Sequence, residues 1–250
     1  MYNICYNQKM FHIIFKVKNV VLSIILFISK LRYYKNSINI YQMYETDEKK
    51  NAFEYFKKDF KTSVFLESQK EIRKFAILKS LENSKIDNFY NLEFGVYKGT
   101  STNLFSKYID KMYAFDSFEG LKEDWEGYIL PKGTFNLNKK IPRLRKNVVP
   151  VAGWVQDTLP NFLKEHNPKI NFVHMDLDTY PSTKFVLEAI KGYLVKDSVI
   201  LFDELYNYPG WDIGELKALE ETFDKTEYKY IAFCIKDKQV AIQYIGNPNT

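Results

Sequence analysis

The chain has 250 residues, 46% of them hydrophobic, which is enough to build the core of one large α/β domain. Its two cysteines, Cys5 and Cys234, are too few and too far apart for a disulfide framework or a cysteine metal site. They fit a reducing compartment and predict a cytoplasmic protein. The net charge of +5 does not indicate nucleic-acid binding, because the excess lies in one terminal segment.

Residues 1–44 form a basic and apolar N-terminal segment with six Lys or Arg and no acid, whereas residues 45–250 hold 30 basic and 31 acidic side chains. The apolar run "NVVLSIILFIS" is about half of the ~20 residues that a membrane-spanning helix needs. Three interpretations stay open. The segment packs on the main domain, mediates the homo-oligomer that we expect, or contacts a membrane surface through residues 10–35. The last of these would make the cytoplasmic protein membrane-associated.

The next stretch, residues 45–84, is predicted to be helical. The phenylalanines of "DEKKNAFEYFKKDF" recur at spacings of three and four, and "EIRKFAILKSLENSK" repeats this apolar periodicity. We expect both helices to pack against the core as an N-terminal extension.

From residue 88 onward, predicted strands alternate with predicted helices. Strands are expected at "FYNLEF", "KMYAFD", "NVVPVAGW", "KINFVHMDLD" and "DSVILFDE", and a β-hairpin at "YKYIAFCIKDKQVAIQY". Helices are expected after Gly99, with Thr100 or Ser101 as N-cap, and near Pro181, with Asp178 as a cap. The pattern predicts a single α/β domain over residues 45–250. Its sheet would be Rossmann-like, doubly wound, seven-stranded and mostly parallel, with one antiparallel strand near the C-terminus.

Nearly every predicted parallel strand is followed by an acid or a glycine, at the sheet edge where such folds bind ligands. The residues concerned are Glu93-Phe94-Gly95, Asp116-Ser117-Phe118, Gly153-Trp154, Asp176-Leu177-Asp178 and Asp203-Glu204. Asp116 follows Glu93 by 23 residues, a spacing at which an acid can accept hydrogen bonds from two ribose hydroxyls. Because no G-x-G-x-x-G is present to hold a pyrophosphate, a nucleoside-like ligand is favoured over a nicotinamide dinucleotide.

Five ordered stretches, "EFGVYKGTST", "AFDSFEG", "AGWVQDTLP", "HMDLDTYPST" and "ILFDELYNYPGW", resemble class I S-adenosylmethionine-dependent methyltransferases of the macrocin-type sugar O-methyltransferase branch. The resemblance covers about residues 66–244 and implies S-adenosylmethionine as the cofactor. The cofactor-binding residues that it implies are Glu93, Phe94, Gly95, Gly99, Ser101, Asp116, Ser117, Phe118, Gly153, Trp154, Val155, Gln156 and Asp176. It leaves Asp157 as either a helix cap or a contact of the adenine.

Three carboxylates, Asp176, Asp203 and Glu204, are predicted to converge at one edge of the sheet, where they would repel one another without a cation. Mg²⁺ prefers such oxygen ligands. The resemblance implies that acids at these positions bind Mg²⁺ together with the hydroxyls of the acceptor. The alternative is that they hydrogen-bond to the substrate without a metal.

The catalytic candidates are Asp176, Glu204 and His174. His174 is the best placed of three histidines to act as a general base, because it precedes Asp176 by two residues on the same strand. A histidine whose hydrogen bonds are satisfied within the strand is the alternative. A weak base such as Glu204 would suffice for a metal-bound hydroxyl.

The long connection over about residues 121–147 is predicted to act as a lid over the acceptor pocket. Trp125, Tyr128 and Phe135 could stack on a sugar or an aromatic ring. Five cations between residues 139 and 146 indicate either an anionic acceptor, such as a nucleotide-linked or phosphorylated sugar, or a solvated surface.

The sequence therefore predicts an O-methyltransferase that acts on a hydroxyl of a small molecule, a sugar or glycan precursor, as in polysaccharide biosynthesis. A non-catalytic protein that binds S-adenosylmethionine is the alternative. A nucleic-acid methyltransferase is disfavoured, because no N-P-P-Y-type motif follows the fourth strand and residues 45–250 are not basic.

Overall fold

The computed structural model describes residues 20–25, 27, 39–82, 88–128 and 130–246. The chain divides into two units, Met1–Tyr44 and Glu45–Thr250. In the first unit, residues 20–25 and 27 are helical and exposed, and most of the predicted membrane-contact segment, residues 10–35, lies outside the described residues. Among the helices that the structure describes, none is long and apolar enough to cross a membrane.

An eight-stranded sheet with the order β1-β7-β8-β6-β5-β2-β3-β4 forms the centre of the second unit. Its strands are β1 Val64–Leu66, β2 Phe89–Phe94, β3 Met112–Asp116, β4 Val148–Ala152, β5 Lys169–Met175, β6 Leu194–Phe202, β7 Tyr228–Cys234 and β8 Val240–Tyr244. β8 runs antiparallel to both of its neighbours, and the other pairings are parallel. The predicted mostly parallel α/β sheet with one antiparallel strand is confirmed.

The sheet has one strand more than the seven predicted. β1 lies within residues 45–84, which were expected to be helical, and pairs in parallel with β7 through Val64 and Ala232. With only three residues it is too short to show the alternation by which a strand is recognised. Its place at the sheet edge, set by a partner far along the chain, could not be read from local sequence.

Within the described part of residues 39–246, six α-helices accompany the strands. They are α1 Ile40–Phe56, α2 Gln69–Leu81, α3 Thr100–Phe105, α4 Val155–His166, α5 Tyr180–Ile190 and α6 Glu215–Thr222. Pro181 occupies the first turn of α5, as predicted, because a residue there needs no N–H donor. The N-cap of α3 is Gly99, with φ of 73°, and neither Thr100 nor Ser101. A glycine suits this left-handed conformation because it has no Cβ.

Helices cover both faces of the sheet, which gives the doubly wound arrangement. One buried apolar cluster joins one face to α1, α4, α5 and α6, with Phe56, Leu159 and Leu219 among its members. A second cluster joins the other face to α2 and α3 through Ile72 and Phe105. The carboxyl ends of the parallel strands remain uncovered by these helices and open into a cavity.

Candidate functional site

A cavity of about 320 Å³ lies at the carboxyl ends of β2 to β6 and falls within the size range of small-molecule sites. It brings together most of the residues that the sequence predicted. Its lining includes Gly95, Asp116, Ser117, Gly153, Trp154, Val155, Gln156, Asp176, Asp203 and Glu204. Asp157 is exposed in the first turn of α4 and lies outside this lining.

Six of the predicted residues are absent from this lining: Glu93, Phe94, Gly99, Ser101, Phe118 and His174. Phe94 and Phe118 belong to the two apolar clusters of the core. Ser101 is buried in the first turn of α3. The structure does not bring these six residues to the surface of the cavity.

The turn after β2 requires a glycine. Gly95 has φ of 91°, and a Cβ atom added to it would lie 1.7 Å from the backbone oxygen of Asp176. The main chains that follow β2 and β5 therefore approach each other more closely than any side chain permits. This close approach forms the floor of the cavity between the two strand ends.

Asp116 ties the end of β3 to this turn. Its Oδ2 accepts hydrogen bonds from the backbone N–H groups of Val96 and Tyr97, each at 2.8 Å. Its Oδ1 accepts one from Phe118 N at 2.6 Å. Because a carboxylate oxygen can accept two hydrogen bonds, Oδ1 keeps acceptor capacity for a ligand hydroxyl.

A chain of charged side chains lies directly under the cavity. His174 is fully buried, with Nδ1 2.9 Å from Glu93 Oε1 and Nε2 3.2 Å from Asp203 Oδ1. Arg73 donates to the same Asp203 oxygen at 2.8 Å, and the Gln239 amide donates to it as well. The group joins α2, β2, β5, β6 and the turn before β8.

This network shifts the pKa of His174 and of Asp203 in opposite directions. Burial acts to lower the pKa of His174, but hydrogen bonds to Asp203 and Glu93 outweigh it and raise the pKa to about 9. Burial acts to raise the pKa of Asp203, and the hydrogen bonds and charges of His174 and Arg73 lower it below its ordinary value. His174 is thus an imidazolium with both nitrogens occupied. This placement matches the alternative of a satisfied strand histidine and does not suit a general base.

A second group of carboxylates faces the cavity. One oxygen from each of Asp176, Asp178 and Glu204 lies within 4.8 Å of the others. His174, Asp176 and Asp203 also meet this distance, and His174 and Arg73 both contact Oδ1 of Asp203. Of the trio predicted to bind metal, Asp176 belongs to both groups, Glu204 to the one that contains Asp178, and Asp203 to the one that contains His174.

Asp178 does not cap α5, contrary to prediction. The N-cap is Thr179, without a capping side-chain hydrogen bond, and Asp178 adopts φ of 62° and lines the cavity. Burial, followed by the charge of Asp203, raises the pKa of Asp178 to about 7. The same two causes raise the pKa of Asp176 and Glu204 well above their ordinary values. Glu204 Oε2 is buried without a hydrogen-bond partner.

One cation near this group was missed by sequence reasoning. Lys238 lies between β7 and β8 and lines the cavity, with Nζ 3.5 Å from Glu204 Oε1. Only the topology of the sheet indicates that Lys238 lies at the cavity. β7 runs in the same direction as β6, so the turn that follows it lies at the carboxyl edge of the sheet. In the sequence this turn appears only as a polar link within a hairpin.

The long connection predicted as a lid has two parts. Leu121, Lys122, Trp125, Tyr128, Leu130 and Phe135 line the cavity. The second part, which carries the basic residues between 139 and 146, is bound to Asn103 of α3. The Asn103 side chain donates from Nδ2 to Arg143 O at 3.0 Å and accepts at Oδ1 from Arg145 N at 2.9 Å. Arg143, Arg145 and Lys146 line a separate groove beside α3. They do not contribute to the cavity at the strand ends.

Comparisons with known proteins agree with this fold. Residues 92–205 match a family model described as a methyltransferase domain, and a search of curated protein sequences gave no match. The crystal structure of CalS11, calicheamicin methyltransferase, superimposes with a TM-score of 0.57 at 22% identity, over 85% of this chain and 89% of that one.

Two further solved structures are similar. An apo structure of CalS11, described as TDP-rhamnose 3'-O-methyltransferase, gives a TM-score of 0.52 at 19% identity and covers 83% of this chain and 96% of that one. The O-methyltransferase NovP gives 0.51 at 19% identity and covers 71% and 79%. At these identities the likeness shows a shared fold.

Proposed function

We propose that this chain, an S-adenosylmethionine-dependent methyltransferase by its domain and fold, transfers a methyl group to a hydroxyl of a sugar or glycan precursor. The observation that carries the proposal is a single cavity that joins two chemically different halves. The donor half consists of the glycine turn, Asp116 and residues 153–156. The acceptor half consists of the carboxylate trio and the aromatic residues of the lid-like connection. The similar CalS11 structure, described as a TDP-rhamnose 3'-O-methyltransferase, supports a sugar as the acceptor.

The donor half suits a nucleoside with an amino-acid tail. Asp116 offers acceptor capacity at Oδ1 for one ribose hydroxyl, while its contacts with Val96 and Tyr97 hold the glycine turn in place. Trp154 and Gln156 supply an aromatic face and an amide at the far end of the cavity. We assign the ribose to Asp116 and the adenine to residues 153–156.

The acceptor half fits a divalent cation. Asp176, Asp178 and Glu204 offer only oxygen ligands, as Mg²⁺ prefers, and one oxygen from each lies within 4.8 Å of the others. Bound there, the cation would lower the pKa of an acceptor hydroxyl. Arg73 and His174 hold Asp203 through Oδ1, so that only its Oδ2 is left to contact a metal.

The protein itself holds the acceptor hydroxyl in place and supplies a group that accepts its proton. The sulfonium of the donor is already activated, so holding the acceptor oxygen in line with the methyl group supplies most of the rate enhancement. When the methyl group is transferred, the hydroxyl proton must leave. We assign its acceptor as Glu204, which lines the cavity and has a free buried oxygen. His174 does not reach the cavity.

Calorimetric titration with S-adenosylmethionine tests the donor half. The Asp116→Asn variant should bind at least about tenfold more weakly, because an amide replaces a charged acceptor of hydroxyl hydrogen bonds. Asp110→Asn is the matched control, since Asp110 is an exposed acid shortly before the same strand. A wild-type protein that does not bind S-adenosylmethionine would refute the function, and unchanged binding by Asp116→Asn would refute the role of Asp116.

The acceptor half requires a separate experiment. Labelled S-adenosylmethionine should methylate a member of a panel of TDP-sugars and free sugars, assayed with Mg²⁺ and with EDTA. Glu204→Gln should lose at least about a hundredfold in rate while it retains donor binding, as for loss of a general base. Donor binding without transfer to any acceptor would instead favour a non-catalytic binding protein.

A further inference from the structure

Lys238 is held inside the acceptor half of the cavity by an unusual set of neighbours. Its Nζ lies 5.1 Å from the ring centre of Trp125, 4.7 Å from that of Tyr128 and 5.3 Å from that of Tyr208. All three distances are within the reach of cation–π attraction. The ammonium therefore lies among three aromatic rings and beside Glu204, with only 20% of the side chain exposed.

The backbone of Lys238 is also fixed relative to the carboxylates. Leu205, the residue after Glu204, donates its N–H to Lys238 O at 3.0 Å. The N–H of Lys238 donates to Asp237 Oδ1 at 2.8 Å. The backbone of Lys238 is thus held by hydrogen bonds, and its ammonium is held by the three aromatic rings. The charge cannot move far from Glu204 without breaking these contacts.

The charges around the cavity give this lysine a specific role. Among the described lining residues, five acids face two lysines, Lys122 and Lys238. Lys122 lies over the Trp154 ring, 5.5 Å from its centre, in the donor half. Lys238 alone of the two is paired with a member of the carboxylate trio.

We propose that Lys238 is a resident cation of the acceptor site, which competes with a divalent metal for Glu204. Without a metal, its ammonium neutralises part of the trio and keeps a positive charge beside the acceptor. A metal bound by Asp176, Asp178 and Glu204 would have to share Glu204 with Lys238, and the two positive charges would repel each other. The lysine therefore sets how strongly the enzyme depends on a metal. The assignment of this half to the acceptor rests on the proposed function.

Metal binding itself tests this proposal, independently of methyl transfer. Metal-stripped protein would be titrated with Mn²⁺, and free Mn²⁺ measured by electron paramagnetic resonance. Wild type should bind weakly, and Lys238→Met should bind at least about tenfold more tightly, because a charge next to a ligand oxygen is gone. Lys238→Arg, which keeps the charge, should match wild type. Lys122→Met, which removes the other lining lysine, should change the affinity by less than about twofold, because distance and water screen it.

Three results would overturn the proposal: equal affinity of wild type and Lys238→Met, an equal gain in Lys122→Met, or the absence of Mn²⁺ binding in every variant. Urea unfolding would check that each variant is folded, and Lys238→Gln would replace the methionine variant if it is not. S-adenosylmethionine titration of the same samples separates the two hypotheses. Intact donor binding without the Mn²⁺ effect refutes only the role of Lys238. A wild type that shows the Mn²⁺ effect but does not bind the donor refutes the proposed function, and with it the assignment of this half to the acceptor, but not the competition for Glu204.

Discussion

Four buried charged residues, of which Asp203 also lines the cavity, tie together the elements that form it. Glu93 and His174 are completely inaccessible to solvent, and Asp203 and Arg73 nearly so. A buried ion pair is costly to form, but removal of one partner leaves the other as an uncompensated buried charge. The four side chains therefore hold α2 and the ends of β2, β5 and β6 in one arrangement. That arrangement leaves the second carboxylate group free to face the ligand.

His174→Gln should remove a pH dependence of stability. The pKa of His174 is about 9 in the folded protein, above its ordinary 6.5. Its stabilising contribution, made through Glu93, Asp203 and Arg73, is therefore complete below pH 6.5 and lost as the pH rises through 9. Wild type should lose on the order of 2 kcal/mol of unfolding free energy between these values. Urea denaturation of wild type and His174→Gln at pH 6, 7.5 and 9 measures this loss of unfolding free energy. The same decrease in His174→Gln would contradict the assignment.

At the scale of elements, the close approach of β2 and β5 is the tightest constraint on the site. A side chain at Gly95 would collide with the backbone of Asp176, a residue that also lines the cavity. The two strand ends would have to separate to admit even one methyl group. Both the donor and the acceptor half would change shape as a result.

Gly95→Ala should therefore reduce stability by more than about 2 kcal/mol, since overpacking adds to the strain of a positive φ. Affinity for S-adenosylmethionine should fall at least about tenfold, because the displaced turn carries the contacts of Asp116. Gly133→Ala is the matched control. Gly133 has φ of 82°, but no atom lies within 4 Å of an added Cβ. It should lose only about 1 kcal/mol and keep its affinity. Equal effects of the two variants in urea unfolding and calorimetry would contradict the importance of the close approach.

Local sequence predicted the elements that carry their own pattern. The alternation of buried strands and amphipathic helices gave the order from β2 to β8, and acids and glycines after strands gave the edge on which the cavity lies. The short strand β1 was missed because three residues show no period, and its partner β7 is distant in sequence. The N-cap of α3 was placed one or two residues late, because the usual preference for Ser and Thr was outweighed by the left-handed turn at Gly99.

Within the site, residue types were easier to predict than their roles. A sequence shows that Asp176, Asp203 and Glu204 follow neighbouring strands. It does not show which of these acids is paired with a buried cation. Arg73 on α2 decides this for Asp203, and no local pattern links the two. Lys238 was missed for the same reason, because its role depends on the direction of β7 within the sheet.

Over the whole molecule, the cavity is assembled entirely within the second unit. Its described lining runs from Gly95 to Lys238, and the unit extends over Glu45–Thr250. The end of α1 belongs to the same core. Phe56 is fully buried, and its ring centre lies 5.2 Å from that of Tyr230 and 5.4 Å from that of Phe233. We therefore infer that α1 is needed for folding, whereas the residues before it are not needed for donor binding.

Two deletions distinguish these roles. A variant that lacks residues 1–38 should bind S-adenosylmethionine within about twofold of wild type, because every described lining residue is retained. A variant that lacks residues 1–56 also loses Phe56 and should lose at least about 3 kcal/mol of unfolding free energy, as for removal of a buried phenylalanine. Calorimetry and urea unfolding measure both effects.

Weakened binding in the shorter deletion would show that the N-terminal segment takes part in the site. Sedimentation of both variants, with and without anionic vesicles, would then separate its use in oligomer formation from contact with a membrane surface, since only the latter requires the vesicles.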